Sequence, residues 1–348
     1  MNQLNDVQSV KAVKLFIEKR NTMPIIGAVA CNGKMTATDL ESWIVVNREA
    51  PRGLVAGCYE PADLENVLNG ATGVKAYAKL DEYPSWPSPK ISPVVGEEKT
   101  VELGLVELQS LAKVLKAHML SSSQDATRYN INGVYFATNG DIASTDGHRL
   151  FRSKNCLPFA CLADTEMIVT NGFCAKLIKL AALLKRERIE FRVSRTGMYL
   201  HLKSDSLSLA TRLLDGKFPA YEDVIPKGYD KSFEIYPLFL SELEKRTKNT
   251  EGKYGVTFCR ITSDGACTVE QENGAKVVLN MFRGEHNDGK DIPFTELTAC
   301  NRRYLVDALN QTGCVGTKIR LGERVSAIMF EHGDSIAVVM PVHEPKKK

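Results

Sequence analysis

Thr138-Asn139-Gly140-Asp141-Ile142-Ala143-Ser144-Thr145-Asp146 resembles an earlier stretch of the same chain, Cys31-Asn32-Gly33-Lys34-Met35-Thr36-Ala37-Thr38-Asp39. A weaker third copy starts at Ser263-Asp264-Gly265 and runs through Cys267-Thr268-Val269-Glu270. Each copy sets an Asn-Gly or Asp-Gly pair between β-rich runs. That is the strongest short-range hairpin signal, because the tight turn needs a left-handed backbone that glycine adopts without strain. The turn glycines Gly33, Gly140 and Gly265 lie 107 and 125 residues apart. A repeat of that length points to three domains of one design.

Other features keep the same phase. A helix-like stretch precedes each hairpin, at 6–19, 106–119 and 237–248, and a second follows, at 61–68, 172–186 and 302–310. Pro61 suits the first position of a helix, and Asn171 and Asn301 suit the caps of the other two. Short alternating runs such as Ile189-Glu190-Phe191-Arg192-Val193 and Tyr199-Leu200-His201-Leu202 read as strands. The fold class is therefore α+β, with two helices packed on antiparallel sheet in each of three domains, 1–98, 99–228 and 229–348. Linkers are expected near 85–98 and 226–231. Domain 1 is short: after its second helix only about eleven residues (73–83) have strand character, against about thirty (187–216) in domain 2.

Composition narrows the function classes. With 43% apolar and 25% charged residues, the chain has the balance of a soluble globular protein. No apolar run is long enough to span a membrane, and the first residues lack the apolar core of a signal peptide. The nine cysteines form no CxxC and sit in apolar runs, as expected of reduced thiols in the cytoplasm. The six histidines show no metal-ligand spacing, so neither a metal site nor a cofactor is expected. A net charge of +3 means that any nucleic-acid binding must concentrate positive charge on one surface.

The helices offer such a surface. At 100° per residue, Phe173, Leu177, Leu180 and Leu184 share one face of the 172–186 helix, with Lys176, Lys179 and Arg186 opposite. Leu108, Leu111, Leu115 and Met119 form the stripe of the 106–119 helix, with Lys113 and Lys116 off it. Domain 3 supplies Lys245, Arg246, Lys248, Arg302 and Arg303, and domain 1 supplies Arg20. Alone, each face is ordinary solvated surface; recurrence in equivalent helices makes a phosphate-facing surface worth testing. No aromatic residues interleave, which argues against a groove for stacking single strands.

Thr145-Asp146-Gly147-His148-Arg149-Leu150, Leu213-Leu214-Asp215-Gly216-Lys217-Phe218-Pro219-Ala220-Tyr221, Asn132-Gly133-Val134 and Val338-Val339-Met340-Pro341-Val342 are distinctive. Together with Met23-Pro24-Ile25-Ile26-Gly27 and Thr38-Asp39-Leu40-Glu41, they resemble the bacterial DNA polymerase III β subunit, the sliding clamp family, in order along nearly the whole chain. The resemblance implies a head-to-tail homodimer. Six domains would form a ring, with helices lining a channel around double-stranded DNA and sheets outside. DNA contacts would then fall to Arg20, Lys113, Lys116, Arg128, Tyr129, Lys176, Lys179, Lys245, Arg302 and Arg303. They would meet phosphates, not bases, and so be salt-sensitive and indifferent to sequence. It also implies a pocket between domains 2 and 3 for short peptides of the replicative DNA polymerase, the clamp loader and other partners. Its wall by motif is Ile131, Thr145, Gly147, His148, Arg149, Leu150, Pro219, Val224, Val338, Val339, Met340, Pro341 and Val342.

This chain departs from the family pattern in places. Asp223 stands where the family usually has a basic residue, Ala327 where serine is common, and His343–Lys348 extends past the usual end. With domain 1 shortened, the ring joint must be built differently. A monomeric clamp-like peptide-binding adaptor is the alternative. An enzyme is not expected: Asp146 and His148 have no nucleophile or second carboxylate placed with them. The run Gly284-Glu285-His286-Asn287-Asp288-Gly289-Lys290 is acidic and followed by Asp291 where a nucleotide loop needs Ser or Thr.

Overall fold

A computed structural model describes residues 4–18, 24–76, 78–79, 100–157, 167–184, 187–194, 198–229, 231–247, 258–262, 265–270, 276–281, 296–321 and 326–342. The first repeat carries α1 (Asp6–Val13), β1 (Val29–Asn32), β2 (Lys34–Thr38), β3 (Ser42–Val46), β4 (Gly57–Tyr59) and α2 (Pro61–Leu68). The second carries β5 (Thr100–Glu107), α3 (Leu108–His118), β6 (Gly133–Phe136), β7 (Ile142–Thr145), β8 (Arg149–Ser153), β9 (Met167–Thr170) and α4 (Asn171–Leu183). It continues with β10 (Arg188–Ser194), β11 (Tyr199–Lys203), β12 (Leu207–Arg212) and α5 (Tyr221–Val224). The third carries β13 (Lys231–Glu234), α6 (Phe239–Arg246), β14 (Phe258–Thr262), β15 (Ala266–Glu270), β16 (Lys276–Asn280) and β17 (Glu296–Asn301). It ends with α7 (Arg302–Thr312), β18 (Lys318–Leu321), β19 (Ile328–His332) and β20 (Ser335–Val339).

Helix, four strands, helix thus recurs three times. Three more strands follow α4 and α7; in the described residues after α2, only Ala78 bridges back, to Cys58. The turn glycines meet the hairpin requirement in all three copies, with φ of +72° at Gly33, +85° at Gly140 and +80° at Gly265.

The helices form where the apolar spacing puts them, with local corrections. On α3, Leu108, Leu111 and Leu115 are buried, and on the α4 segment so are Phe173, Leu177, Leu180 and Leu184. Each such side chain contributes about 1.5–3 kcal/mol of transfer free energy. The expected 6–19 helix stops at Val13 and tightens into a 3₁₀ turn, which drops Phe16 into the core edge-on to Phe173, centroids 6.3 Å apart. Asn171 is not a cap but the first helical residue. Thr170 caps instead, its Oγ1 accepting the Phe173 amide at 3.2 Å; either side chain can cap, and the extended backbone at Thr170 decides which. Asn301 caps α7 as expected, accepting the Arg303 amide at 2.9 Å.

The chain gathers into two compact units, Met1–Lys116 with Gly133–Gly140 and Cys156–Lys217, and Ala117–Asn132 with Asp141–Asn155 and Phe218–Lys348. The first holds an antiparallel sheet in the order β4-β1-β2-β3-β12-β11-β10-β5, so that β3 of the first repeat pairs with β12 of the second. The second holds strands in the order β13-β18-β19-β20-β8-β7, with β20 of the third repeat on β8 of the second, and a separate sheet β16-β15-β14-β17. One apolar core built on Phe239, Leu243, Leu305, Ile319 and Phe330 fills the second unit.

Candidate functional site

The Thr-Asp motif is a turn held by its own side chains. In the second unit, Thr145 Oγ1 donates to the Arg149 carbonyl at 2.7 Å and accepts the Gly147 amide at 3.0 Å. Asp146 Oδ1 accepts the amides of His148 at 2.9 Å and Arg149 at 3.1 Å. The chain bends back through Gly147 at φ +87°. The Asp146 carboxylate therefore serves backbone amides and the Arg149 guanidinium, not the His148 imidazole, which lies stacked against Tyr304 with ring centroids 6.3 Å apart.

Behind this turn lies a cavity of about 200 Å³, formed wholly within the second unit. Its walls are Arg128, Asn130, Ile131, Thr145, Gly147, Arg149, Leu150, Pro219, Tyr221, Val224, Val338 and Met340. Apolar surface dominates, with a few polar groups in the wall, the makeup of a site that captures apolar anchors and orients them by hydrogen bonds. Gly147 faces Arg128: a Cβ there would stand 2.5 Å from the guanidinium Nη2, whose Nη1 donates to the Asp146 carbonyl at 2.7 Å.

Nine of the residues expected in the wall line this cavity: Ile131, Thr145, Gly147, Arg149, Leu150, Pro219, Val224, Val338 and Met340. Four do not. On β20 alternate side chains take opposite faces, so Val338 turns to the cavity while Val339 joins the core. Past the strand, Met340 donates its amide to the His148 carbonyl at 2.9 Å and Val342 donates to Ala299 at 2.8 Å, which draws the chain toward β17. Pro341 is half-buried, and the His148 ring is spent on Tyr304. Three wall residues were not expected there: Arg128, assigned instead to DNA contact, and Tyr221 and Asn130. Tyr221 lies three residues before Val224, a spacing that puts both on one face of α5. Asn130 directly precedes Ile131. Asp223 is exposed on α5, Ala327 is half-buried, and residues 343–348 lie outside the described residues.

The DNA polymerase III beta subunit, central domain, matches residues 105–220. The beta sliding clamp of Escherichia coli strain K12 is 24% identical over 361 residues, covering 93% of this chain and 93% of the relative. The chain resembles the bacterial DNA polymerase III β subunit, or β sliding clamp, family over nearly its whole length. Among solved clamps, that of Bartonella birtlesii bound to griselimycin superposes with a TM-score of 0.76 at 20% identity, covering 97% of each chain. The Helicobacter pylori beta clamp bound to DNA ligase peptide does so with a TM-score of 0.72 at 16% identity, covering 97% of this chain and 98% of the other.

The cationic residues expected to meet DNA in a clamp fall into two groups. Lys113, Lys116 and Lys179 in the first unit, and Lys245 in the second, are exposed. So is Arg303, 80% exposed with only a 3.8 Å approach to Asp307, and so are Arg128, itself part of the cavity wall, and its neighbour Tyr129. Arg302 is half-buried, its Nε donating to Thr247 Oγ1 at 2.5 Å. Lys176 departs from the expectation. Its ammonium pairs with Asp39, donates to Ser42 Oγ at 2.6 Å, and lies 4.9 Å from the centre of the Phe16 ring. The helix face opposite the core meets a neighbouring turn at that position, not solvent. Arg20, Arg186 and Lys248 lie outside the described residues, as do the 284–290 run and the expected 85–98 linker.

Proposed function

We propose that the chain is a DNA sliding clamp. It closes as a head-to-tail homodimer around duplex DNA, tethers the replicative DNA polymerase and other partners, and does no chemistry itself. The observation that carries this reading is the cavity, an apolar concavity with a few polar groups in its wall, to which the Thr-Asp turn, Val338 of β20 and Met340 just past it all contribute. It suits the apolar end of a partner peptide, which would come from the polymerase, the clamp loader and other clamp-binding proteins; the likeness to a clamp holding a DNA ligase peptide supports this. Three domains, 1–98, 99–228 and 229–348, make half a ring. Lys113, Lys116, Lys179, Lys245 and Arg303 then face phosphates, with Arg20, Arg128, Tyr129 and Arg302 beside them. Such contacts are weak, interchangeable and lost with salt, so retention comes from topology.

No described helix is long and apolar enough to cross a membrane, and none of the described cysteines is bridged, which suits a protein working in the cytoplasm. The test is loading onto nicked circular DNA by the host clamp loader. The clamp should stay bound through a high-salt wash and leave when the circle is cut; dissociation in salt from intact circles would contradict the ring.

A second reading is a monomeric clamp-like adaptor. It is favoured by β4, which among the described residues is an edge strand of three residues with a single further bridge at Ala78. Sedimentation at micromolar concentration separates the two: the ring gives twice the 38.5 kDa chain mass.

A further inference from the structure

We infer that Asp307, on α7, is a positioning residue for the cavity: its carboxylate holds the Arg149 guanidinium and, through it, the Gly147–Leu150 wall. The inference rests on the peptide-binding reading of that cavity. Arg149 stands where the turn becomes strand β8, and its side chain is only 8% exposed. A guanidinium this buried needs its charge matched and its donors placed. Asp146 supplies part of that, accepting from Nε at 2.9 Å, but its other oxygen is committed to two backbone amides. Asp307 supplies the rest, pairing with Nη1, while the Tyr304 ring lies 4.4 Å beneath Cζ. Burial and then the neighbouring Asp146 push the Tyr304 phenol up, so the ring offers Arg149 a neutral face. The next residue, Leu150, is cavity wall and sits opposite Val338 in the sheet. Whatever fixes the Arg149 side chain therefore fixes the start of the strand that shapes the wall.

The repeat supplies independent support. Asp307 is the sixth residue of α7, and Lys176 is the sixth residue of α4. Lys176 reaches back to the equivalent turn of the first repeat, pairing with Asp39 and donating to Ser42, the residue matching Arg149. One position on the second helix thus clips the preceding turn at both junctions, with the charges reversed: helix cation on turn anion in the first unit, helix anion on turn cation in the second. Reversed polarity also keeps the two turns from accepting each other's helix.

The test compares Asp307→Asn and Asp307→Glu with the wild-type ring, using anisotropy of a labelled C-terminal peptide of the host polymerase at a temperature where circular dichroism shows each protein folded. Asp307→Asn should weaken the peptide about tenfold, and Asp307→Glu should recover to within about threefold of wild type. A purely structural role would lower the melting temperature of Asp307→Asn and leave the Kd of the folded protein unchanged; that result overturns the proposal. Should Asp307→Asn not fold, Tyr304→Leu removes the ring beneath the same guanidinium. A two- to fourfold weakening is then expected, and an unchanged Kd overturns the proposal. Failure of the wild-type protein to bind the peptide would instead remove the reading on which the proposal stands.

Discussion

At the first Thr-Asp turn, the residue in the left-handed backbone region is Leu40, at φ +74°; at the second it is Gly147, at +87°. The hydrogen bonds around them match one for one. Thr38 Oγ1 donates to Ser42 as Thr145 Oγ1 does to Arg149, and Asp39 Oδ1 accepts the Glu41 and Ser42 amides as Asp146 accepts those of His148 and Arg149. Even the next strand follows: Arg212 donates to Glu41 as Met340 does to His148. The side chains on this shared frame differ. Where Leu150 and Met340 line a cavity, the first junction has Trp43, packed edge-on to Tyr199 at 6.0 Å, and Arg212. The frame makes the turn, and a few side chains decide whether the surface behind it packs on itself or stays open for a partner.

The largest effect that should separate the two units is with acid. His118 is fully buried between Ser144 Oγ at 3.0 Å and Ser153 Oγ at 3.1 Å, on the two strands flanking the second turn. Burial lowers its pKa from 6.5 to about 3. Below pH 6.5 the unfolded chain takes a proton that the folded chain refuses. Stability present at neutral pH is therefore lost as pH falls from 6.5 toward 3 and then levels off, a loss of up to about 5 kcal/mol at about 1.4 kcal/mol per pH unit. Hydrogen exchange at pH 5 and pH 4 should open β7 and β8 before β2 and β3. Equal loosening of both pairs would remove His118 as the cause.

Lys176 and Lys179 sharpen the comparison next. Lys176→Met leaves Asp39 partly buried and unpaired, and should cost about 2 kcal/mol in urea unfolding while leaving the salt dependence of DNA binding unchanged. Lys179→Gln should do the reverse, shifting stability by less than about 0.5 kcal/mol and reducing the salt slope by about one contact. If Lys176→Met flattens the slope as much as Lys179→Gln does, the clip at the first turn is not its main role.

The smallest effects lie at the turn residues themselves. Gly147→Ala forces a Cβ into a left-handed position and against Arg128, costing about 1–2 kcal/mol. Leu40→Gly relieves that same strain while freeing the unfolded chain, and should change stability by less than about 1 kcal/mol in either direction. Matching losses in thermal melts of the two variants would mean that the turns are not equivalent.

These contrasts mark what the amino-acid pattern could carry. The Asn-Gly turns, the apolar stripes of α3 and α4 and the threefold order were legible, because each depends on residues within one element and its period. The motifs also led to most of the cavity wall. What escaped depends on the neighbour across a gap. Helical angle placed Lys176 opposite the core but could not say that the Asp39 turn waits there. Taking Val338 and Val339 together ignored that adjacent strand residues face opposite ways. The Asn171 cap was one residue late because Thr170 and Asn171 both suit the role. Asp307 carried no motif at all, and only packing beside Arg149 shows its place.

If partners bind at the second junction, through its open wall, then truncating that wall must weaken them. The direct measurement is anisotropy of a labelled C-terminal peptide of the host polymerase against wild type and Met340→Ala. Truncating Met340 removes apolar contact worth roughly 1.5–3 kcal/mol at about 25 cal/mol/Å², so the Kd should rise about ten- to a hundredfold with the melting temperature unchanged. An unchanged Kd in the folded variant would contradict binding at this wall.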